Sequence, residues 1–297
     1  MVCLCTIPFL IGLIVIFKYI VKIYKFIRLY IFPPKNNLKE KYGDGYVIIT
    51  GGSSRIGFSF AKQFLKQNFK LCLLSSNKEK LEKAKKELLD TYPFSIIKII
   101  DFNLDEFYTE ETIKKLEERI STELKGEEIS ILFNNAGVVY RGRFDSITEK
   151  NVSTMINVNI VGLTILTKII IEKMKKRTKR SLLVGSGSVD GQLRFENRIV
   201  YGATKSYVEA FYEGLTRDFP EKFDFTLIEI GPVKSNMIKH DMPFINSSDE
   251  FASECINLIG KYKFIQGSKK HFILRAILSN PLIQYFSRKI DLKLNID

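Results

Sequence analysis

The sequence predicts an α/β fold: a doubly wound parallel sheet preceded by an N-terminal membrane helix. Three observations lead to this reading. Between residues 44 and 238, short apolar β-branched runs alternate with segments of helical periodicity. The 297 residues, 45% of them hydrophobic, are enough to bury one large core. Residues 1–17 carry no charged side chain and are dominated by Leu, Ile and Phe.

Taken in chain order, the first element is that apolar run. Leu4, Ile7, Phe9, Leu10, Ile11, Leu13, Ile14, Val15, Ile16 and Phe17 lead into Tyr19, Ile20 and Val21. The apolar length reaches about 20 residues, enough to cross a bilayer with Lys18 snorkelling to its surface. Lys18, Lys22 and Lys25 recur at helical spacing, as in a helix leaving through the headgroups, and Pro33-Pro34 should end it. The start lacks positive charge and a small-residue cleavage site, which disfavours a cleaved signal peptide; a monotopic hairpin is the alternative to a span. Basic residues after the run place the remainder in the cytosol. Three regions follow: an anchor and basic interfacial helix (1–34), a central domain (44–238) and a C-terminal extension (239–297).

The central domain opens with the strand Tyr46-Val47-Ile48-Ile49 and the turn Thr50-Gly51-Gly52-Ser53-Ser54-Arg55-Ile56-Gly57, after which residues 58–67 read as helix. A strand, a glycine turn and a helix N-terminus can seat a pyrophosphate, because free N–H groups and the helix dipole face the anion. Further strands are expected at 70–74, 96–100, 129–133 and 181–184, with helices at 77–90, 109–124, 151–176 and 201–219.

Tyr201 and Lys205 are the residues with the most chemical content. Four apart on a helix, they share a face. A phenol beside an ammonium can act as an acid near neutral pH, although lowering its pKa from about 10 to about 7 requires roughly 4 kcal/mol. Taken alone, such a pair is more often surface decoration.

The landmarks together resemble the short-chain dehydrogenase/reductase family over residues 44–238. The turn matches that family's Thr-Gly-x-x-x-Gly-x-Gly pattern at Thr50, Gly51 and Gly57, with Arg55 standing at the middle glycine. Arg55 either strains a turn that needs positive φ or reaches a phosphate. Asn134-Asn135-Ala136-Gly137 resembles the segment ending the fourth strand, and Asp101 the acidic residue near the adenine. Asn159 resembles the asparagine that supports a proton-relay water, and Ser188 the catalytic serine. Gly231-Pro232-Val233-Lys234-Ser235 is similar to the loop closing over the nicotinamide, with Ile230 where many members have proline.

The resemblance implies a Rossmann-like fold and hydride transfer between a nicotinamide cofactor and a carbonyl or alcohol carbon. It assigns catalysis to Asn159, Ser188, Tyr201 and Lys205: Tyr201 as proton donor, Lys205 lowering its pKa, Ser188 holding the substrate oxygen. It assigns cofactor contacts to Thr50, Gly51, Ser53, Ser54, Arg55, Ile56, Gly57, Ser76, Asp101, Asn135, Ala136, Gly137, Tyr201, Lys205, Gly231, Val233 and Ser235. The second strand ends in Ser75-Ser76-Asn77 with no carboxylate to bond a ribose 2′-hydroxyl, and Arg55 and Lys78 would attract a 2′-phosphate. NADPH is therefore expected, with NAD less favoured.

Cys3, Cys5, Cys72 and Cys255 show no metal-like pairing and there are only two histidines, so no metal is expected and a reducing compartment is. The net charge of +13 comes without a nucleic-acid motif. The run Lys173-Met174-Lys175-Lys176-Arg177-Thr178-Lys179-Arg180 reads as a solvated helix end.

The anchored layout most resembles very-long-chain 3-oxoacyl-CoA reductases and 17β-hydroxysteroid dehydrogenases, through Tyr201-Gly202-Ala203-Thr204-Lys205, residues 155–160 and the tail Ala276-Ile277-Leu278-Ser279-Asn280-Pro281. The expected partners are a hydrophobic acyl-CoA or steroid substrate and membrane lipid at the endoplasmic reticulum, with no nucleic acid and homodimerisation left open. The apolar stretch 272–286 is too short to span; it would lie on the bilayer, line an acyl tunnel or pack in the core. The alternatives to fatty-acyl elongation are a steroid, sphingoid-base or retinoid oxidoreductase, and a non-catalytic membrane-anchored binding protein.

Overall fold

Seven parallel strands frame the protein: β1 (Tyr46–Thr50), β2 (Lys70–Ser75), β3 (Ile97–Asp101), β4 (Ile129–Asn134), β5 (Ser181–Ser188), β6 (Phe223–Ile230) and β7 (Phe264–Ile265). The computed structural model describes residues 6–106, 108–193, 195–234 and 245–278. Hydrogen bonding runs β3-β2-β1-β4-β5-β6-β7, every neighbour parallel. The strand order reverses between β1 and β4, which opens a crevice at their carboxyl ends.

Successive side chains of a strand face opposite sides, so each run feeds two cores. Val47, Ile49, Leu71, Leu73, Ile131 and Phe133 face α3 (Arg55–Lys66), α4 (Lys78–Thr91) and α10 (Ser248–Cys255). Ile48, Cys72, Leu74, Leu132 and Leu183 face α5 (Glu110–Leu124), α7 (Leu163–Met174) and α9 (Ile199–Asp218). The helix expected over 151–176 is α6 (Glu149–Ile156), a π turn (Asn157–Gly162) and α7 in direct succession. It is apolar enough to span a bilayer, but it is a core helix, with 56% of its most apolar stretch buried.

Three features depart from the sequence reading. β5 runs four residues further, to Ser188, paired with Leu227–Ile230 of β6, and Gly185 within it comes so close to the Tyr212 ring that a Cβ there would sit 2.6 Å from it. The C-terminal extension adds elements the sequence did not foretell: β7 extends the sheet, and Phe251, Ala252 and Cys255 of α10 are fully buried in the first core. In the expected solvated basic run, Arg177 is only 3% exposed. Its guanidinium donates to the carbonyls of Tyr42 (2.6 Å) and Arg180 (3.0 Å), to Ser181 Oγ (2.9 Å) and to Glu128 (3.1 Å).

At the N-terminus, α1 (Thr6–Phe26) continues through a π turn (Ile27–Ile31) and ends before Pro33. The stretch Ile7–Ile31 is long and apolar enough to cross a membrane, and none of its most apolar window is buried. Its base is fastened to the domain. Phe26 and Tyr30 pack on Phe272 of α11 (Lys269–Leu278) at 5.5 and 5.6 Å between ring centres, and Tyr30 donates to the Gly267 carbonyl at 3.0 Å. Residues 1–5, with Cys3 and Cys5, and the tail motif Ser279-Asn280-Pro281 lie outside the described residues.

Phe60 joins three elements: it is fully buried, 4.7 Å from the Phe133 ring of β4 and 6.2 Å from Phe251 of α10. Phe60→Ala is expected to destabilise the fold by about 3–5 kcal/mol in chemical denaturation; a loss below about 1 kcal/mol would contradict this packing account.

Candidate active site

The crevice is built on two glycines and a threonine. Gly51 has φ +64°, open to glycine without strain. Gly57 comes so close to the turn that a Cβ would lie 2.5 Å from the Gly51 carbonyl and 2.6 Å from Asn135 Nδ2. The Thr50 hydroxyl accepts the N–H groups of Asn135 and Ala136, each at 2.9 Å, while Asn135 Nδ2 donates to the Thr50 carbonyl at 2.9 Å. Asn135 thus clamps β1 to β4.

Arg55 answers the question the sequence left open about strain. It has φ +50°, a left-handed conformation that disfavours a side chain by about 1–2 kcal/mol. Its side chain, with those of Ser54 and Ser76, is exposed at the rim. Ser54 caps α3 without a side-chain hydrogen bond, and no acid occupies the helix's first turn. Ser53 donates to Ser75 Oγ at 3.3 Å, and Asp101 lies opposite Ser75 in the sheet register. Ile56 packs on the core.

These residues fit a dinucleotide: a bare glycine backbone, an uncapped helix N-terminus and no carboxylate where a pyrophosphate would lie. Gly137 extends the fit. A Cβ there would sit 3.3 Å from both Lys205 Nζ and Asn159 Oδ1, so its absence leaves the floor open above them. Gly231 and Val233 line the far side, half-buried, with Val233 bridged to Asn246; Ser235 lies outside the described residues. Ile230 closes β6, its carbonyl accepting the Val189 N–H at 3.1 Å.

On the opposite wall α9 presents Tyr201 and Lys205, and the end of β5 presents Ser188. Lys205 is 5% exposed; its ammonium donates to the Ser186 carbonyl at 2.8 Å and lies 5.7 Å from the centre of the Tyr201 ring. Burial pulls its pKa down to about 8, against the Asp190 charge. Tyr201 is pushed up to about 12 by burial and then by Asp190, with Ser188, Arg198 and Arg141 opposing. The expected acidification of Tyr201 by Lys205 is therefore not what this site displays. The amine is turned to β5, and desolvation outweighs it.

Asn159, on the π turn, is 1% exposed. Its amide donates to the Val138 carbonyl (2.9 Å) and Thr204 Oγ1 (3.0 Å), and its Oδ1 accepts the Val138 N–H (2.9 Å). The side chain staples the loop after β4 to α9, leaving one Oδ1 lone pair for any water.

Sequence reasoning missed two residues. Asp190, 5% exposed, accepts the Ser188 hydroxyl at 3.0 Å and pairs with Arg198 at 3.0 Å. His271, 1% exposed, accepts the Gly231 N–H on Nδ1 (3.2 Å) and, through Nε2, donates to the Pro232 carbonyl (2.9 Å). Burial holds His271 down to about 4, so it stays neutral and pins that loop. Neither had a signal in the chain beyond the spacing of Asp190 two residues after Ser188.

A doubly wound sheet with a glycine turn and a Ser–Tyr–Lys group at its carboxyl edge defines an α/β dinucleotide-binding oxidoreductase. The chain belongs to the short chain dehydrogenase family, which matches residues 45–244. It is 30% identical to a putative steroid dehydrogenase 4 of Caenorhabditis elegans over 82% of this chain and 94% of that protein. It is 27% identical to the human very-long-chain 3-oxoacyl-CoA reductase over 84% of this chain and 79% of that one. Among solved structures, a 7beta-hydroxysteroid dehydrogenase superposes with TM-score 0.72 at 17% identity, covering 86% of this chain and all (100%) of that one.

Two measurements follow. Arg55→Gly relieves the left-handed strain but frees the unfolded chain, for a net gain of about 0.5–1 kcal/mol in denaturation; a loss of stability would mean that the turn is not strained. Lys205 is charged in the unfolded chain up to its ordinary pKa of 10.5, but in the folded protein only up to about 8. The unfolded state therefore binds more protons between those values, and folded stability rises with pH across that window. Relative to Lys205→Met, the parent should gain about 3 kcal/mol from pH 7 to pH 10.5; a flat difference would remove the desolvated amine.

Proposed function

We propose that this oxidoreductase is anchored in the endoplasmic reticulum membrane, with its catalytic domain in the cytosol, and reduces a lipid ketone with NADPH. The favoured substrate is a very-long-chain 3-oxoacyl-CoA, converted to the 3-hydroxyacyl-CoA of fatty acid elongation. The observation that carries the reading is the group of buried Ser188 and Lys205 with half-buried Tyr201 beside an open glycine cradle, in a chain whose first helix is apolar and exposed. Regions 1–34, 44–238 and 239–297 then serve as anchor, catalytic domain and substrate-side extension.

The cradle of Gly51 and Gly57 would hold NADPH, which would supply the hydride. Tyr201, protonated well past neutral pH, gives its phenolic proton to the ketone oxygen as charge develops there. Ser188 positions that oxygen. Lys205, half-charged near pH 8, is the group able to return a proton towards Tyr201, and the Asn159 staple holds its helix against the β4 loop. Gly51, Ser53, Ser54, Ile56 and Gly57 hold the pyrophosphate side, while Asp101, Asn135, Ala136, Gly137, Gly231 and Val233 line the rest.

NADPH is favoured because β2 ends without a carboxylate and Arg55, Ser54 and Ser76 are exposed together at the rim. A steroid oxidoreductase is the second reading, favoured by the 30% identity to a protein named for steroids.

The deciding assay follows NADPH oxidation by the detergent-solubilised full chain against 3-oxoacyl-CoAs of several lengths and a steroid, sphingoid and retinoid panel. Tyr201→Phe should lower turnover by about 10²–10⁴-fold with cofactor affinity nearly unchanged; retained turnover would remove Tyr201 from the acid role. Failure to bind either nicotinamide cofactor at millimolar concentration would favour the non-catalytic binding protein.

A further inference from the structure

We infer that the base of the apolar helix is part of the cofactor wall: Phe26 and Tyr30 act through Phe272 and His271 of α11 to fix the Gly231–Pro232 backbone. Tyr30 and His271 are then positioning residues, and the anchor sets the loop over the nicotinamide as well as holding the domain. The inference rests on the reading of that loop as the one that closes over the nicotinamide.

The first two residues after β6 make their backbone bonds to a single side chain. Gly231 donates its N–H to His271 Nδ1 at 3.2 Å, and the Pro232 carbonyl accepts from Nε2 at 2.9 Å. A neutral imidazole has one acceptor and one donor nitrogen, so the two bonds fix the tautomer and use the ring completely. The ring is wedged in place. A Cβ on Gly231 would lie 2.9 Å from its Cδ2 and one on Gly267 2.7 Å from its Nδ1, while the Phe251 ring centre is 5.2 Å away. Ser268 extends the brace: its hydroxyl donates to Asn246 Oδ1 at 2.6 Å and accepts the His271 N–H at 3.3 Å. The Asn246 carbonyl in turn accepts the Lys234 N–H at 2.8 Å. Residues 231–234 are therefore held from the N-terminal turn of α11.

That turn is itself held by the apolar helix. The Phe26 and Tyr30 rings lie 5.5 and 5.6 Å from Phe272, the residue next to His271. The Tyr30 hydroxyl donates at 3.0 Å to the carbonyl of Gly267, the residue on which the imidazole rests. Gly267 has φ +56°, so this contact is made by a backbone that only glycine adopts freely. Further along α11, Arg275 bonds the Glu229 carboxylate of β6 and the Gln192 side chain, which keeps the helix on the sheet independently of α1. The chain leaving the apolar helix is strapped down as well: Asn36 donates to the Ile256 and Ile259 carbonyls at 3.0 and 2.7 Å. A helix fixed at its base on both sides can transmit its position to the loop.

The test compares the full detergent-solubilised chain with His271→Phe, which keeps a ring but neither bond, and with Phe26→Ala and Tyr30→Phe. Hydrogen exchange of the Gly231 amide, measured without cofactor, should quicken by about tenfold in His271→Phe and measurably in both α1 variants. Ile16→Ala, on the exposed stretch of the same helix, should leave it unchanged. NADPH should bind about 3–10-fold more weakly to His271→Phe, while 2′-phospho-ADP-ribose, which lacks the nicotinamide, binds as before. His271→Gln, able to donate to the Pro232 carbonyl, should recover part of the loss. Unmoved Gly231 exchange in both Phe26→Ala and Tyr30→Phe would overturn the inference. So would an equal loss of both ligands, which marks a general loosening of the fold. Should His271→Phe not fold, the two α1 variants decide on the same readouts. Quickened exchange in a chain whose parent binds no NADPH would sink the cofactor reading and leave the coupling of helix to loop standing.

Discussion

The Thr50 hydroxyl is the interaction on which the rest of the site depends. Accepting two backbone N–H groups from the segment after β4, it locks the carboxyl ends of β1 and β4 together where the strand order reverses. Two backbone donors at a strand end converge on one side chain, and Asn135 returns a bond to the Thr50 carbonyl. The glycine turn then has one direction to take, with Gly57 against Gly51 and no room for a Cβ between them. The crevice exists because this clamp leaves it nowhere to close.

Around that crevice the fold holds groups that work against its own stability. Lys205 is buried with its charge weakened by desolvation, Asp190 is buried with one oxygen unbonded, and Arg55 sits in a left-handed conformation. Three such strains within one site are what chemistry, not packing, asks for. The surrounding core is correspondingly regular: the inner strands present alternating apolar faces to two helical layers, and Phe60 and its partners pack edge to face.

The first helix is not merely tethered. Phe26 and Tyr30 pack on Phe272, and the next residue, His271, holds the Gly231–Pro232 backbone. Gly231 and Gly267 both lie against the His271 ring, closer than a Cβ would allow. The base of the apolar helix, the C-terminal helix and the loop expected over the nicotinamide are therefore one packed unit. The C-terminal segment earns its place through β7, α10 and the His271 contacts.

Local patterns determined much of this protein. The β-branched runs gave β1 to β5, helical spacing gave α3, α4, α5 and α9, and the order of Thr50, Gly57, Asn135, Ser188, Tyr201 and Lys205 gave the family and the crevice. Such signals are legible because each lies within a few residues of chain. Even the Arg55 alternative was framed correctly, since a glycine-rich turn has a φ requirement of its own. Tertiary structure decided the electrostatics and the closure of the site. Whether Lys205 acidifies Tyr201 depends on where β5 directs the amine. The roles of Asp190, Arg198, His271 and Arg177 depend on what lies opposite them, Gly231 being 40 residues from His271 and Tyr42 135 residues from Arg177. Burial and charge pairing are properties of two distant segments at once, and no local pattern contains them.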